Sequence, residues 1–280
     1  MSRNFDHLFI RTTLDPDRRA KFAALPLPTH RLVIYFTPRS GSSWLTDIIV
    51  QSGRLGAGNE IFNPNFVHNI ANGIQSLGRE DYMEQVQRRF RSGNGRFSFE
   101  ITSHQLDRLF PDPSPFMAAF NTPDCRAVWL IRQDIVAQAV SLAKMVTTQI
   151  SHTPHATEQE RERADLTFSY DYDLIKRWLL HILTAERRSE ELFSLNGIEP
   201  FRVSYEDMIA AGAALMRVKI AALLDVQDTK WTPLTPKHEK LGTQQNDEFA
   251  ARFRAEDTAL IAEIESERTA MLGRLSVIEK

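Results

Sequence analysis

Residues 31–45 read RLVIYFTPRSGSSWL, and this stretch decides the fold. Arg31 to Thr37 is short, continuous, apolar and rich in β-branched and aromatic residues, as a strand buried on both faces must be. Pro38 stops it. The turn Pro38-Arg39-Ser40-Gly41-Ser42 follows, and from Ser43 the pattern is helical, with Trp44, Leu45, Ile48 and Ile49 on one side. A turn of small residues between strand and helix exposes consecutive backbone N–H groups, and the helix start adds the positive end of its dipole. Gly41 lets backbone approach an oxyanion closely. Ser40, Ser42 and Ser43 offer hydroxyls, and Arg39 supplies a fixed charge with bidentate geometry. The local chemistry points to an anion site. The bland alternative is a tight connection, which serine and glycine also favour. GxxxxGK[ST] is not matched, since its first glycine and its lysine are missing, so a nucleoside triphosphate with magnesium is not the natural ligand.

Similar units recur outward from this one. Arg96 to Ile101 alternates as a strand. Arg126 to Ile131 is a buried strand that runs through Arg132-Gln133-Asp134 into a helix ending near Gln149, with Asp134 as its N-cap. Phe201 to Ser204 is another short strand before a helix, and Leu174 to Leu183 marks a long amphipathic helix before it. Strands alternating with helices predict an α/β fold, a central parallel sheet flanked by helices, with ligands at the carboxyl ends of the strands. We expect a single domain over residues 1–280 with a C-terminal helix from about residue 247. Pro111 to Pro123, with four prolines, reads as a loop, and Ser151 to Asp165 as a polar, aperiodic cover.

Composition narrows the ligand. Lys plus Arg is 34 and Asp plus Glu is 36, a net charge of −2, so no global field draws the chain onto nucleic acid or anionic membrane, and an anion site must be local. No basic stripe interleaved with aromatics appears either. The single cysteine, Cys125, excludes an intrachain disulfide and a CxxC metal site. His152-x-x-His155 sits in a proline-containing polar loop and reads as exposed, not as a metal site. No basic and apolar leader opens the chain, and no run approaches the roughly 18–20 apolar residues of a spanning helix, so a soluble cytoplasmic protein is expected.

Thr37 to Leu45 resembles the 5′-phosphosulfate loop of sulfotransferases that use 3′-phosphoadenosine 5′-phosphosulfate (PAPS). Three further segments agree in order. Trp129 to Leu142 resembles the 3′-phosphate segment, where a strand-end arginine and a helix serine bind; Arg132 and Ser141 match them. Val203-Ser204-Tyr205-Glu206-Asp207-Met208 looks like the segment whose tyrosine helps hold the adenine, although Ser204 and Asp207 also form a capping pattern. Trp44 either lines that adenine pocket or is core. Asn59-Glu60-Ile61-Phe62-Asn63-Pro64 points to the bacterial branch typified by trehalose 2-sulfotransferase, in which a glutamate in an E-x-F-x-P context is the general base. The resemblance covers most of Arg31 to Met208 and faintly Lys240 to Arg254.

The resemblance implies a P-loop-like sulfotransferase fold and transfer of a sulfuryl group from PAPS to a hydroxyl of a carbohydrate or glycolipid, releasing 3′-phosphoadenosine 5′-phosphate (PAP) without a metal. It implies Glu60 and Arg39 as catalytic residues. Arg39, Ser40, Gly41, Ser42, Ser43, Trp44, Arg132, Ser141 and Tyr205 would bind the donor. Glu100 is a departure: the family strand often ends there in a lysine, and a carboxylate would repel sulfate and phosphate oxygens, recognise sugar hydroxyls or compete with Glu60 as base. His104 is the other reserve base. A small-molecule kinase shares the strand-turn-helix logic but wants a lysine and an acidic magnesium ligand; a PAPS-binding protein without catalysis is the non-enzyme alternative. Acceptor contacts are expected from the loops Asn63 to Asp81, Pro111 to Pro123 and Ser151 to Asp165. A homodimer is the default for a soluble enzyme.

Overall fold

The computed structural model describes residues 5–10, 14–150, 158–227, 231, 233–234 and 243–278. Four strands, β1 (His30–Phe36), β2 (Arg96–Ile101), β3 (Cys125–Ile131) and β4 (Phe201–Ser204), form one parallel sheet in the order β2-β1-β3-β4. The helices are α1 (Pro16–Ala23), α2 (Ser42–Ser52), α3 (Pro64–Ile74), α4 (Arg79–Phe90), α5 (Ser103–Leu109), α6 (Ser114–Phe120), α7 (Ile135–Thr148), α8 (Glu158–Thr167), α9 (Tyr172–Asn196), α10 (Tyr205–Leu223, kinked at Gly212), α11 (Gln244–Glu256) and α12 (Thr258–Leu272).

Both faces of the sheet are covered, which explains strands without polar alternation. Leu32, Ile34 and Phe36 of β1, with Leu130 and Val203, pack on Leu45, Ile48 and Ile49 of α2 and on Met208 and Ile220 of α10. Val33 and Tyr35 point the other way, with Phe97, Phe99 and Trp129, into a core that holds Phe62, Tyr82 and Phe193. A third cluster joins α7, α9, α11 and α12 through residues such as Val140, Leu179, Phe253 and Ile264. It braces α7 from the side away from β3.

Several expected loops are helices instead. Pro111 to Pro123 contains α6, whose Phe116 and Phe120 are buried in the aromatic core. Pro115 lies in its first turn, where a missing N–H costs nothing, so proline starts this helix rather than breaking it. Asn63 to Asp81 holds α3 and the start of α4; Asn63 caps α3 by accepting from Asn65 N, with Pro64 behind it. Residues 158–165 lie in α8, while 151–157 fall outside the described residues, as do His152 and His155.

The C-terminal helix is two helices, beginning at Gln244 rather than near residue 247. Asp257 interrupts them at φ −138° and ψ 60° and caps α12 by accepting from Leu260 N. Its other oxygen is held by Tyr172 and by Lys176 at 3.1 Å, so the break is anchored to α9.

Candidate active site

In this strand order the chain leaves β1 to one side and returns through β3 on the other, which opens a crevice at their carboxyl ends. The turn after β1 lies there. Ser40 closes it, donating from its backbone N–H (3.2 Å) and its hydroxyl (2.7 Å) to the Thr37 carbonyl, so the Ser40 proton is committed to the turn itself. Arg39 (φ 68°) and Gly41 (φ 90°) are both left-handed. For arginine that conformation stores about 1–3 kcal/mol of backbone strain. Gln138 of α7 holds the turn from above, donating to Thr37 Oγ1 (2.8 Å) and the Pro38 carbonyl (2.7 Å).

Gly41 is the N-cap of α2, and having no side chain it leaves the helix start without a side-chain cap. A Cβ there would lie 2.6 Å from Tyr205 Cδ2 and 2.9 Å from Met208 Cε. The glycine therefore serves its φ and the seat of Tyr205. Trp44 is half-buried and packs against the core between α2 and α10.

Two guanidinium groups meet at this turn. Arg39 Nε donates to Ser141 Oγ at 3.0 Å, which brings a residue of the turn to one two turns into α7. The register pairs Ile131 with Ser204, so the next residues, Arg132 and Tyr205, lie side by side, and the Arg132 guanidinium sits 5.1 Å from the Tyr205 ring centre. Arg132 Nη1 reaches the Arg39 carbonyl at 3.5 Å. Arg132 pairs with Glu206 at 3.9 Å and not with Asp134, which bonds to Arg254. Its Nε is buried with no hydrogen-bond partner. Burial, then the charge of Arg132, pulls the Arg39 pKa down to about 10. Arg39 stays charged at neutral pH, and an anion between the two groups relieves both the desolvation and the repulsion.

The loop that carries Arg132 is fixed from far away. Glu206 accepts from the backbone N–H of Gln133 (2.9 Å) and Asp134 (3.2 Å). Arg268 of α12 donates to the Arg132 carbonyl (2.6 Å) and the Gln133 carbonyl (2.7 Å). Arg268 also pairs at 2.8 Å with Glu186 of α9, and the two side chains are only 3% and 2% exposed.

A pair of acidic residues lies beside α2. The Asn59 carbonyl accepts from Glu100 N at 3.2 Å, and Asn59 bridges Phe99 in parallel, so the segment runs along β2 and brings Glu60 next to Glu100. Gly56 permits this approach, for a Cβ there would lie 2.4 Å from Ser98 N. Glu60 Oε2 accepts from Asn63 Nδ2 (2.8 Å) and Gln105 Nε2 (2.6 Å), which leaves Oε1 to act on a ligand. Gln105 belongs to a capping box: its Oε1 accepts from Thr102 N at 3.0 Å. Its amide is thus held at one end by a helix start and holds Glu60 at the other. The signal for Gln105 was present as Thr102-x-x-Gln105, a capping-box spacing, but nothing in the sequence ties that box to Glu60.

Glu100 is 5% exposed. The Ser42 hydroxyl bonds its carboxyl, Thr46 stands beside it with its hydroxyl donating to the Gly58 carbonyl at 3.0 Å, and Glu100 Oε2 is buried without a partner. Burial first, and then the charge of Glu60, raise its pKa to about 8. At neutral pH it is mostly the uncharged acid, so the repulsion expected of a carboxylate at this place does not arise. Glu60 and Glu100 share a cavity of about 440 Å³, walled also by Thr46, Ile61, Phe66 and Phe90. His104 does not line it. Its ring stacks on His181 at 4.0 Å, and burial beside His181 and Arg188 lowers its pKa to about 4.

Among the described residues no helix is long and apolar enough to cross a membrane. No curated protein matches the chain. A family model described as Stf0 sulphotransferase matches residues 31–256, from β1 to the end of α11.

Proposed function

The chain belongs to the Stf0 sulphotransferase family, and from that premise we propose that it transfers a sulfuryl group from PAPS to a hydroxyl of a carbohydrate or glycolipid acceptor. The observation that carries the donor assignment is the convergence of the buried Arg39 guanidinium and Arg132 at the crevice between β1 and β3. In this reading Arg132 and Ser141 hold the 3′-phosphate. Tyr205, seated against Gly41, packs on the adenine together with Trp44. Arg39, the Ser43 hydroxyl and the open start of α2 at Gly41 hold the phosphosulfate, while Ser40 braces the turn through the Thr37 carbonyl and Ser42 is engaged with Glu100.

PAPS supplies a sulfuryl group on a good leaving group. The residues supply position and charge. As the bond to the leaving oxygen breaks, negative charge grows on the phosphate, and Arg39 and the turn amides stabilise it without rearranging. An acceptor hydroxyl has a high pKa, so a base must take its proton during transfer. Glu60 is that base: its Oε2 is fixed by Asn63 and Gln105 and its Oε1 accepts the proton.

Calorimetric titration of PAP into the protein, with magnesium chelated, tests the donor site. Binding is expected, and Arg132→Ala is expected to weaken PAP much more than adenosine 5′-phosphate, which lacks the 3′-phosphate. Equal losses for both nucleotides would remove Arg132 from the 3′-phosphate. Absence of PAP binding to the unaltered protein would overturn the donor assignment.

A further inference from the structure

Gln138 has no exposed surface, yet it places a polar side chain in the first half of α7. Both hydrogens of its amide go to one target. Nε2 donates to Thr37 Oγ1 at 2.8 Å and to the Pro38 carbonyl at 2.7 Å. Its Oε1 is buried with no hydrogen-bond partner. The orientation of the amide follows from chemistry, because a backbone carbonyl only accepts and the NH2 side must face it. A methionine would fill much the same space without leaving an oxygen unbonded. The two donations are therefore what this residue supplies.

Both bonds land on the turn just before Arg39. Ser40 N bonds the Thr37 carbonyl at 3.2 Å, so Thr37-Pro38-Arg39-Ser40 is a β-turn with Pro38 and Arg39 at its centre. Arg39, at φ 68°, has the left-handed backbone that a type II turn requires at its third position, where glycine is usual. The commoner type I turn accepts proline and arginine at these positions without that strain. The two types differ chiefly in a half-turn of the central peptide, which reverses the carbonyl of the second residue. Here that carbonyl belongs to Pro38, and Gln138 holds it. Gln138 and Ser141 stand three residues apart on α7 and so share one face of the helix. The face that holds the Pro38 carbonyl thus also meets the Arg39 guanidinium, whose Nε donates to Ser141 Oγ at 3.0 Å.

We infer that Gln138 is the positioning residue of the donor site. Without touching the nucleotide, its amide holds the Pro38–Arg39 peptide in the orientation that brings the Arg39 side chain to Ser141. It thereby fixes the turn that takes the 5′ end of the donor against the face of α7 that takes the 3′-phosphate. This rests on the donor assignment above. Without the two donations the peptide turns over to the type I form and the Arg39 guanidinium leaves Ser141. The 3′ end keeps Arg132 and Ser141, so the damage falls on the 5′ end.

Phosphorus NMR of bound PAP reads the two ends separately, because each phosphate gives its own resonance. In the unaltered full chain both resonances are expected to shift on binding. Gln138→Met keeps the length of the side chain and removes both donors. It should weaken PAP at least about fivefold, the smaller effect to be had from two lost hydrogen bonds. At saturating PAP its 5′ resonance should move back toward the free position, while its 3′ resonance stays as in the unaltered protein. A 5′ resonance left in place, or equal displacement of both, overturns this inference and leaves the donor assignment standing. Absence of PAP binding to the unaltered protein overturns both. Should Gln138→Met fail to melt cooperatively, Thr37→Val decides, since it removes one acceptor of the amide and leaves α7 intact. Its 5′ resonance should move in the same direction, and one that does not move overturns the inference.

Discussion

Glu60 and Glu100 are the same residue type a short distance apart, and their surroundings divide their roles. Glu60 is half-exposed and has two amide donors on one oxygen; Glu100 is buried, with Oε2 lacking any hydrogen-bond partner. A general base typically contributes about 10²–10⁴-fold, so Glu60→Gln should lower kcat by that factor while PAP affinity is unchanged; stopped-time transfer of labelled sulfate together with a PAP titration measures both. Unaltered turnover would take Glu60 out of the mechanism. Glu100 makes a separate prediction about stability. Its folded pKa is about 8 against an ordinary 4.5, so between those values the folded chain keeps a proton that the unfolded chain has released. The contribution is fully present below this window and is lost as pH rises through it. Melting temperatures from pH 5 to 9 should therefore fall more steeply for the unaltered protein than for Glu100→Gln, and parallel curves would show that Glu100 titrates normally.

At the scale of elements, the turn between β1 and α2 shows how much of a site one short motif can specify. Its strand, its stop and its helix are local, so they were legible from the sequence almost to the residue. The use of Gly41 was not, because Tyr205 approaches it from 164 positions away in the chain. Gly41→Ala must both adopt φ 90° and displace the Tyr205 ring. The left-handed backbone alone costs roughly 1–2 kcal/mol, so the melting temperature should drop by several degrees. PAP affinity should drop as well, because Tyr205 is pushed from its seat. Retention of full PAP affinity would mean that the ring plays no part in the donor pocket. The prolines of α3 and α6 teach the converse lesson. They read as loop signals by composition, but a proline in the first helical turn is compatible with helix, and the neighbouring Val67, Phe116 and Phe120 supply the burial that decides between the two.

At the scale of the molecule, the Arg132 loop depends on the last long helix. Arg268 spans from Glu186, with which it forms a buried pair, to the carbonyls of Arg132 and Gln133. Arg268→Met leaves Glu186 without its partner and should destabilise the fold by about 3–5 kcal/mol in chemical denaturation. The double variant Arg268→Met with Glu186→Leu removes the stranded charge and should recover most of that loss. Its PAP affinity should nevertheless remain reduced, because the Arg132 loop has lost its support. Full recovery of PAP affinity in the double variant would show that Arg268 serves the fold alone.

The sequence by itself determined the class of fold, the four strands, the small-residue turn between β1 and α2, the capping of α7 by Asp134 and the pairing of Ser204 with Asp207. All of these depend on neighbours within a few residues, through periodicity, proline and side-chain caps. Only the tertiary structure decided which distant groups meet: Arg39 with Ser141, Tyr205 with Gly41 and Arg132, Gln105 with Glu60, Arg268 with the Arg132 loop. It also decided that Glu100 is an uncharged acid, because the state of a titratable group follows from its burial and its neighbours. Those are set by the packing of separate elements, and no spacing along the chain encodes them.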